Sequence, residues 1–592
     1  MCARPASDHG GIVKQLGLTA LGLFLFLPLA LPAMAAEMPD GETIVLNAED
    51  IVELNVRTIQ ELLNLVPSVK AGNSSVSIRG SSAVAVFLDG MSLINTASGH
   101  RAVKWNLVSV EDIASLKIIK GGGAVAFGDN SSGGVIIIKS KSVDRTKAGL
   151  ELEAGNQNYW RIRGNASRKN GPWGAAFNGD FYSSDGFRRN GDKEQGRAGF
   201  KLSYAPESWF LWAGADAEAP TLAVDYGETR KGSAGLPWRP TPHARSRDEA
   251  LGASLNFKAL GWKNATSFTR FQNDYTNPDS STYTKLRSWT VKEDLRKSFK
   301  LPWLGLISSG LLLSHTEAQG NKVLPVDEQS FGIFGQKSVR FKAVPISLNL
   351  GLRANAYSEF DSALNPEVKA SWRKDMFRVE AAFQMTNNTP TIRQRYYETY
   401  STKPNPGLGM ERATNYSLGV TCSPLKWFTI SATAFYNQVK DRITYMRGDD
   451  GVGRYENVGE AHLSGLDAFM SVKHFDWLIF RPSYTYLEAI NDDTGLWLSA
   501  KPRHKFKADL QVRPIKGLMF GLQGTYCSEV YNNASNTRKS DAYFTLDLRG
   551  EYRIDKIRFF FRIDNALDEE YTYLDGYPAP PRTWQLGMGW DF

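Results

Sequence analysis

RTWQLGMGWDF, residues 582–592, alternates without a break. Successive side chains of an extended strand point to opposite sides. Trp584, Leu586, Met588, Trp590 and Phe592 therefore share one face, and Thr583, Gln585, Gly587, Gly589 and Asp591 the other. At a strand's rise the segment reaches about 36 Å, enough to cross a hydrocarbon layer at a tilt. Tryptophans near the ends with leucine and methionine between them suit lipid, while glycine and aspartate suit an interior. A soluble sandwich also alternates, but neither this strand length nor this aromatic placement is required of it. A sheet in lipid has to close on itself, because an open edge leaves backbone N–H and C=O groups unpaired.

The same texture extends back to about residue 145. It recurs in ELEAG at Glu151, SLNFKAL at Ser254, SLNLGLRANAY at Ser347, FTISATAFYNQV at Phe428, KFKADLQVR at Lys505 and YFTLDLRGEYRI at Tyr543. In the last of these Phe544, Leu546 and Leu548 alternate with Thr545, Asp547 and Arg549. Allowing roughly 20 residues for a strand and its connection, 145–592 predicts about 22 antiparallel strands, a size at which a barrel lumen holds a plug. Stretches 223–247, 273–285, 386–412, 447–454 and 529–540 read as external connections.

The chain's 592 residues contain 53 Gly, 15 Trp, 23 Tyr and 31 Phe, a mixture suited to many strands and tight turns. The 70 basic and 62 acidic residues leave +8 with no long basic run, which argues against a nucleic-acid partner. Cys2, Cys422 and Cys527 are too far apart for metal-ligand spacing, although one pair could cross-link. Neither a metal site nor a catalytic constellation is expected. Arg4 and Lys14 before the apolar run 16–31, then AMAA at 33–36, read as a secretory signal over residues 1–35. Beyond it no uncharged apolar stretch approaches the roughly 20 residues of a spanning helix.

After a short segment, 36–41, residues 42–144 read as a small mixed α/β domain. TIVL at 43–46 is a strand candidate. Ile59, Leu62, Leu63 and Val66 on one face predict a helix over 57–66, stopped by Pro67. Strands are expected at 76–79, 84–90, 115–120 and 135–138, the second ending in a DG turn, with a helical turn at 110–113 and glycine-rich bends at 121–123 and 128–134. Those glycines lie between strands and lack a GKS or GKT ending, which excludes a nucleotide loop.

The ordered set TIQELLNLVPSV, VSIRG, VAVFLDGMSLIN, VEDIASLKIIKGG and AVAFGDNSSGGVIIIKS resembles the plug of TonB-dependent outer-membrane receptors. GLDAFM at Gly465, YTYLEA at Tyr484 and RIDNALDEEYTYLDGYPAPPRTWQLGMGWDF extend the resemblance through the barrel, closest to the smaller cobalamin and siderophore receptors. It implies a 22-stranded barrel with a plug inside, and no enzyme or cofactor. It implies import of a metal chelate or corrinoid, with haem as an alternative, or a plugged surface receptor without direct TonB coupling. Implied partners are the TonB complex and the barrel-assembly machinery, with a surface capture lipoprotein as a further candidate.

In this reading Arg79 and Gly80, Asp89 and Gly90, and Gly128, Gly133 and Gly134 are structural or coupling positions of the plug. Asp89 is also readable as a turn residue, and charges such as Arg79 need partners on the barrel wall. Glu42, Thr43, Ile44, Val45 and Leu46 resemble a TonB-contacting segment, yet fit the first plug strand as well. Candidate ligand residues are Asn95, His100 and Arg101 on a plug apex, with Arg393, Arg395, Tyr396, Tyr397 and Tyr400 of TIRQRYYETY facing it. A second apex is expected at 71–75.

Phe592 resembles the terminal aromatic assembly signal of such barrels. Its deletion should lower the yield of folded barrel more than it lowers secretion, because little lipid-facing area is lost. Heat-modifiable migration in outer-membrane fractions measures this, and equal assembled quantities would refute it.

Overall fold

The computed structural model describes residues 42–592 apart from 100, 215, 303–304, 342, 448–451 and 575. The expected signal peptide, residues 36–41, Cys2 and His100 lie outside the described residues. The described chain forms a closed 22-stranded antiparallel barrel around an N-terminal α/β plug.

Closure joins the ends of the barrel sequence. The first strand, Lys147–Gly155, pairs with the last, Thr583–Asp591, from Gly149↔Asp591 to Gly155↔Gln585. The Phe592 N–H donates to the Ala148 carbonyl at 2.9 Å. Trp584, Leu586, Met588 and Trp590 are exposed on the outside and Gly589 is buried inside, the arrangement expected of a strand between lipid and lumen.

One rim carries two-residue connections such as 171–172, 260–261, 375–376 and 516–517. The other carries 389–410, 441–460 and 565–582. Short turns face the periplasm and long loops the outside in barrels of this kind. Two expected connections prove far too wide. Strands Glu218–Gly232 and Arg245–Ala259 leave only 233–244, and Trp262–Asn277 and Thr282–Leu301 leave only 278–281. These strands run on past the lipid, where water wets both faces and the two-residue hydrophobic period that marks a strand disappears.

The plug begins with β1 (Thr43–Asn47), α1 (Ala48–Leu54) and α2 (Ile59–Leu65). It continues through β2 (Val84–Leu88), β3 (Met91–Ser92), β4 (Ile113–Lys120), α3 (Ala124–Phe127) and β5 (Gly134–Ser140). The sheet order is β1-β4-β5-β2-β3, with β2 and β5 parallel and the other pairs antiparallel. Leu62, Leu63, Val69, Ile78, Val86, Leu116, Ile118 and Ile136 fill its core. At Gly134, where φ is 139°, an added Cβ would meet the Ile119 carbonyl at 2.2 Å, so only glycine permits β4 and β5 to pack there.

The expected helix over 57–66 is the shorter α2, capped by Thr58, whose side chain accepts from the Glu61 N–H. Helix α1 was not expected. The Asn47 side chain accepts from the Asp50 N–H at 2.8 Å, and the Asp50 carboxylate accepts from the Asn47 N–H at 3.0 Å. Asn55, with φ 49°, ends the helix. The capping-box spacing was present in the sequence, but two buried apolar residues, Ile51 and Leu54, are too few to show a helical period. Helix α3 follows glycines that read only as a bend. Cys422 and Cys527 are both free.

Residues 43–46 belong to β1, an edge strand paired with β4 from Thr43↔Ile119 to Leu46↔Leu116. The Lys120 N–H donates to the Glu42 carbonyl at 2.8 Å, and the ladder's alternation places Ile44 at the next bonded position. Ile44→Pro removes that donor and should raise protease sensitivity and ion leakage even without TonB. Normal protease protection and single-channel conductance in TonB-deficient membranes would show that β1 does not brace the resting plug.

Candidate functional site

Two regions join plug to barrel. The first is a buried charge cluster. Arg79, at the end of the strand Val76–Ile78 and with φ 50°, donates from Nη2 to Glu42 Oε1 at 3.0 Å and from Nε to Asp467 Oδ2 at 3.0 Å. Asp467, on the barrel strand Ala461–Phe475, also accepts from Ser68 Oγ at 2.9 Å and Thr485 Oγ1 at 3.1 Å, and lies 3.6 Å from Lys120 Nζ. The Arg79 guanidinium stacks over Phe435 at 4.7 Å. Two cations and two carboxylates thus neutralise one another inside the barrel, which is the condition for burying them. Asp467 sits within GLDAFM, and its alternation with Leu463 and Gly465 places it toward the lumen. The sequence therefore held the signal, but no partner could be assigned.

The other plug turns are tied to the wall as well. The Asp89 carboxylate accepts from the Ser140 N–H at 2.9 Å and lies 3.6 Å from Lys201, while Asn256 Nδ2 donates to its carbonyl at 2.9 Å. Asp89 is therefore both a turn residue, with φ 48°, and a wall contact. Gly90 follows it with φ 86°. Gly80 approaches Leu463 and Leu487 of the wall. Between Gly128 and Gly133, Asp129 accepts from Asn355, Asn365 and Tyr357, and Asn130 bonds Thr389. At Gly122 an added Cβ would overlap the Gln384 amide, the closest approach of plug backbone to wall side chain in this bend.

The second region is the outer vestibule. Connection 389–410 folds inward, and its short helix Ile392–Tyr396 is capped by Thr391 and Gln394. The Ile392 N–H donates to the Thr96 carbonyl of the plug apex at 3.0 Å, and Ile392 packs with Ala97, Leu286, Val323 and Tyr396. Arg101, from the apex, donates to the Thr389 carbonyl. Arg393 packs on Gly99, and its guanidinium lies over Tyr397 at 4.3 Å. Tyr445 and Tyr455, from the hairpin Ile443–Arg447 and Gly453–Asn457, stand edge to face with centroids 5.2 Å apart. Tyr445 shares a hydrogen bond with Thr402 at 3.0 Å, so the two loops are joined. Burial raises the Tyr455 phenol, and the nearby Arg393 charge opposes that rise.

These contacts divide the expected ligand residues. Arg395, only 2% exposed, pairs with Glu328 at 3.0 Å and Glu359 at 3.2 Å and donates to the Pro406 carbonyl at 2.7 Å. Tyr396 is buried and donates to Glu359 at 3.0 Å, and burial pushes its phenol up to about 12. Asn95 is buried and accepts from the Ala97 N–H at 3.0 Å. These three side chains are buried and bonded within the loop, its neighbouring strands and the apex. Tyr400 is fully exposed and points away from any packed partner among the described residues. Arg393 and Tyr397 lie near Tyr445 and Tyr455, which sequence reasoning missed because their loop adjoins 389–410 only in the fold.

A second aromatic wall stands by the apex at 72–75. Tyr543 stacks on Tyr571 at 4.1 Å, Tyr571 meets Tyr573 edge-on at 5.4 Å, and Lys70 Nζ lies 5.7 Å from the Tyr573 ring. His315 and His462 occupy outward faces of their strands, by alternation with exposed Leu313 and Leu466, and do not line the vestibule. A cavity of about 550 Å³ lies at the other rim, between 107–113 of the plug and the first barrel strands, and Phe592 lines part of it.

The family pattern described as TonB dependent receptor-like, beta-barrel matches residues 122–566, and that of the TonB-dependent receptor plug domain matches 37–135. The chain belongs to the TonB-dependent receptor family and is an integral outer-membrane β-barrel. It is 22% identical over 595 aligned residues to the vitamin B12 transporter BtuB of Vibrio cholerae serotype O1, covering 93% of this chain and 92% of the relative. It is also 22% identical to the iron-regulated outer membrane virulence protein of that organism, covering 92% and 91% of the two chains. The siderophore receptor PirA from Acinetobacter baumannii superposes with a TM-score of 0.77 at 14% identity, over 93% of this chain and 98% of that one. The FrpB iron transporter from Neisseria meningitidis gives 0.77 at 14%, over 93% and 99%.

Removing one member of a buried charge cluster typically costs about 3–5 kcal/mol, because its partners stay buried and uncompensated. Arg79→Met and Asp467→Leu should each lower the plug's unfolding temperature in calorimetry while the barrel transition stays in place. A plug transition unmoved by either change would mean that these pairs contribute nothing net to docking.

Proposed function

We propose that this chain captures an anionic metal chelate at its outer vestibule and imports it by energy-coupled displacement of the plug. The observation that carries the reading is the joined set Arg393, Tyr397, Tyr445 and Tyr455 beside the plug apex. A guanidinium attracts the ligand's negative charge, and tyrosine faces and hydroxyls bind flat or oxygen-rich groups. Resemblance to siderophore receptors and iron transporters supports a ferric chelate. A corrinoid is the second reading, supported by the vitamin B12 transporters among the relatives and by the Tyr543, Tyr571 and Tyr573 wall, which suits a large planar ring system.

Coupling follows from the buried cluster. Tension applied on the N-terminal side of Glu42 would reach Arg79 through the Glu42 pair and then load the Asp467 anchor. In the resting state residues 42–46 act as a plug strand, and contact with TonB requires β1 to yield. The TonB system and the barrel-assembly machinery are the proposed partners, with a surface lipoprotein as a further candidate.

The test is growth of a deletion strain on separate limiting ferric catecholate, ferric hydroxamate, haem and cobalamin, with calorimetric binding of each to purified receptor. A ferric chelate should bind, and Arg393→Ala should weaken it about tenfold, equivalent to about 1.4 kcal/mol. Binding of cobalamin alone, unaffected by Arg393→Ala, would move the assignment to a corrinoid.

A further inference from the structure

At the periplasmic rim, connection 205–217 is an exception among turns that are mostly very short. It contains a helix of about two turns, Glu207–Ala213, with sequence ESWFLWA. Ala213 is buried, and its carbonyl accepts from the Leu260 N–H of the neighbouring turn at 2.6 Å. Trp209 meets Phe257 edge-on at 6.3 Å and Trp212 at 4.7 Å. Phe257 shares a face of its strand with exposed Leu255, so the helix is seated on the lipid-facing side of the barrel. That contact leaves Phe210, Leu211 and Trp212 uncovered, with Leu211 86% and Trp212 55% exposed.

The surface around the helix continues the same chemistry. Trp173 packs on Tyr204 at 4.3 Å, Trp262 meets Phe299 at 6.1 Å, and Lys297 lies over the Trp262 ring at 5.0 Å. Leu260 is also exposed. Tryptophan and tyrosine with a lysine tip collect where acyl chains meet head groups, and the helix is continuous with that girdle. Charge does not supply the attraction. Asp216 is paired with Lys258 at 2.6 Å and Glu218 lies 4.0 Å from Lys263, which leaves exposed Glu207 and no free cation on the helix itself.

We propose that Glu207–Ala213 is an interfacial anchor whose Phe210, Leu211 and Trp212 insert into the inner phospholipid leaflet of the outer membrane. Its partner is the boundary between acyl chains and head groups, and it is held there by apolar burial and not by anionic lipid. The anchor sets the depth of the barrel sector between strands Lys193–Tyr204 and Glu218–Gly232, which the connection bridges. A patch of this composition facing water would be costly, and the lipid belt beside it offers cover without any further protein.

The test uses the full-length receptor with its cysteines replaced by serine and a nitroxide attached at Leu211→Cys. Phosphatidylethanolamine vesicles with low and high phosphatidylglycerol serve as the membrane. Power-saturation electron paramagnetic resonance compares collision with oxygen, which concentrates in lipid, against collision with a water-soluble nickel chelate. Leu586→Cys provides the lipid-facing reference and Ser535→Cys, in an outer loop, the aqueous one. The oxygen-to-nickel ratio at position 211 should be several-fold above that at 535, close to that at 586, and unchanged by phosphatidylglycerol. Heat-modifiable migration confirms folding, and Trp212→Cys supplies a second label site should Leu211→Cys fail to fold. A ratio at the aqueous level would overturn the proposal in favour of a water-facing surface for a soluble protein. A ratio that rises only with phosphatidylglycerol would overturn its apolar basis.

Discussion

Inside a hydrocarbon layer no water is available to bond a backbone amide, and the rest of this molecule follows from that requirement. The last strand must pair with the first, and it does so through Gly149↔Asp591 and its neighbours. Closing 22 strands produces a lumen too wide for wall side chains to fill. A second folded body is needed to occupy it. The wall's inward face is consequently polar and meets the plug through hydrogen bonds and ion pairs, in contrast to the hydrophobic plug core built around Leu62, Leu116 and Ile136.

A polar interface inside a membrane barrel must be balanced charge by charge, and this balance links stability to transport. Arg79, Glu42, Asp467 and Lys120 are each tolerable only because the others are present. Such an interface can hold the plug in a defined place and still come apart, since water entering a displaced plug would solvate every group it frees. A purely apolar seam would offer no such compensation. The outer loops obey the same rule. Arg395 is spent on Glu328, Glu359 and the Pro406 carbonyl to hold connection 389–410 over the apex, and this leaves Arg393, two residues earlier, free to face the vestibule with Tyr397.

The fold class and strand number were legible because lipid on one side and a wet lumen on the other impose a two-residue period that little else sustains over residues 582–592. Most plug elements were legible for a related reason. Glycines at positive φ and runs such as VAVFLDG at 84–90 leave few alternatives. What escaped were features without a period. Helix α1 has only Ile51 and Leu54 to mark its buried side, and the strand ends at 223–232 and 273–277 lie above the lipid, where both faces are wet. The candidate site was legible only in kind. TIRQRYYETY announced cations and aromatics, but Arg393 and Arg395 are indistinguishable in sequence and differ in surroundings, Arg395 buried between two carboxylates and Arg393 half-buried over Tyr397.

The sequence by itself determined what each strand must face, because that depends on the local alternation of side chains and on the solvent either side of one sheet. It also determined where the plug chain must turn, because φ at Gly134 and its neighbours is a property of single residues. Only the tertiary structure decided which groups meet. Asp467 lies 388 residues from Arg79 in the chain and 3.0 Å from it in space, and Tyr455 reaches the vestibule through a loop distant in sequence from the plug apex. Pairing of this kind depends on the barrel's closure and on the plug's seat within it. These are long-range constraints that no window of sequence contains.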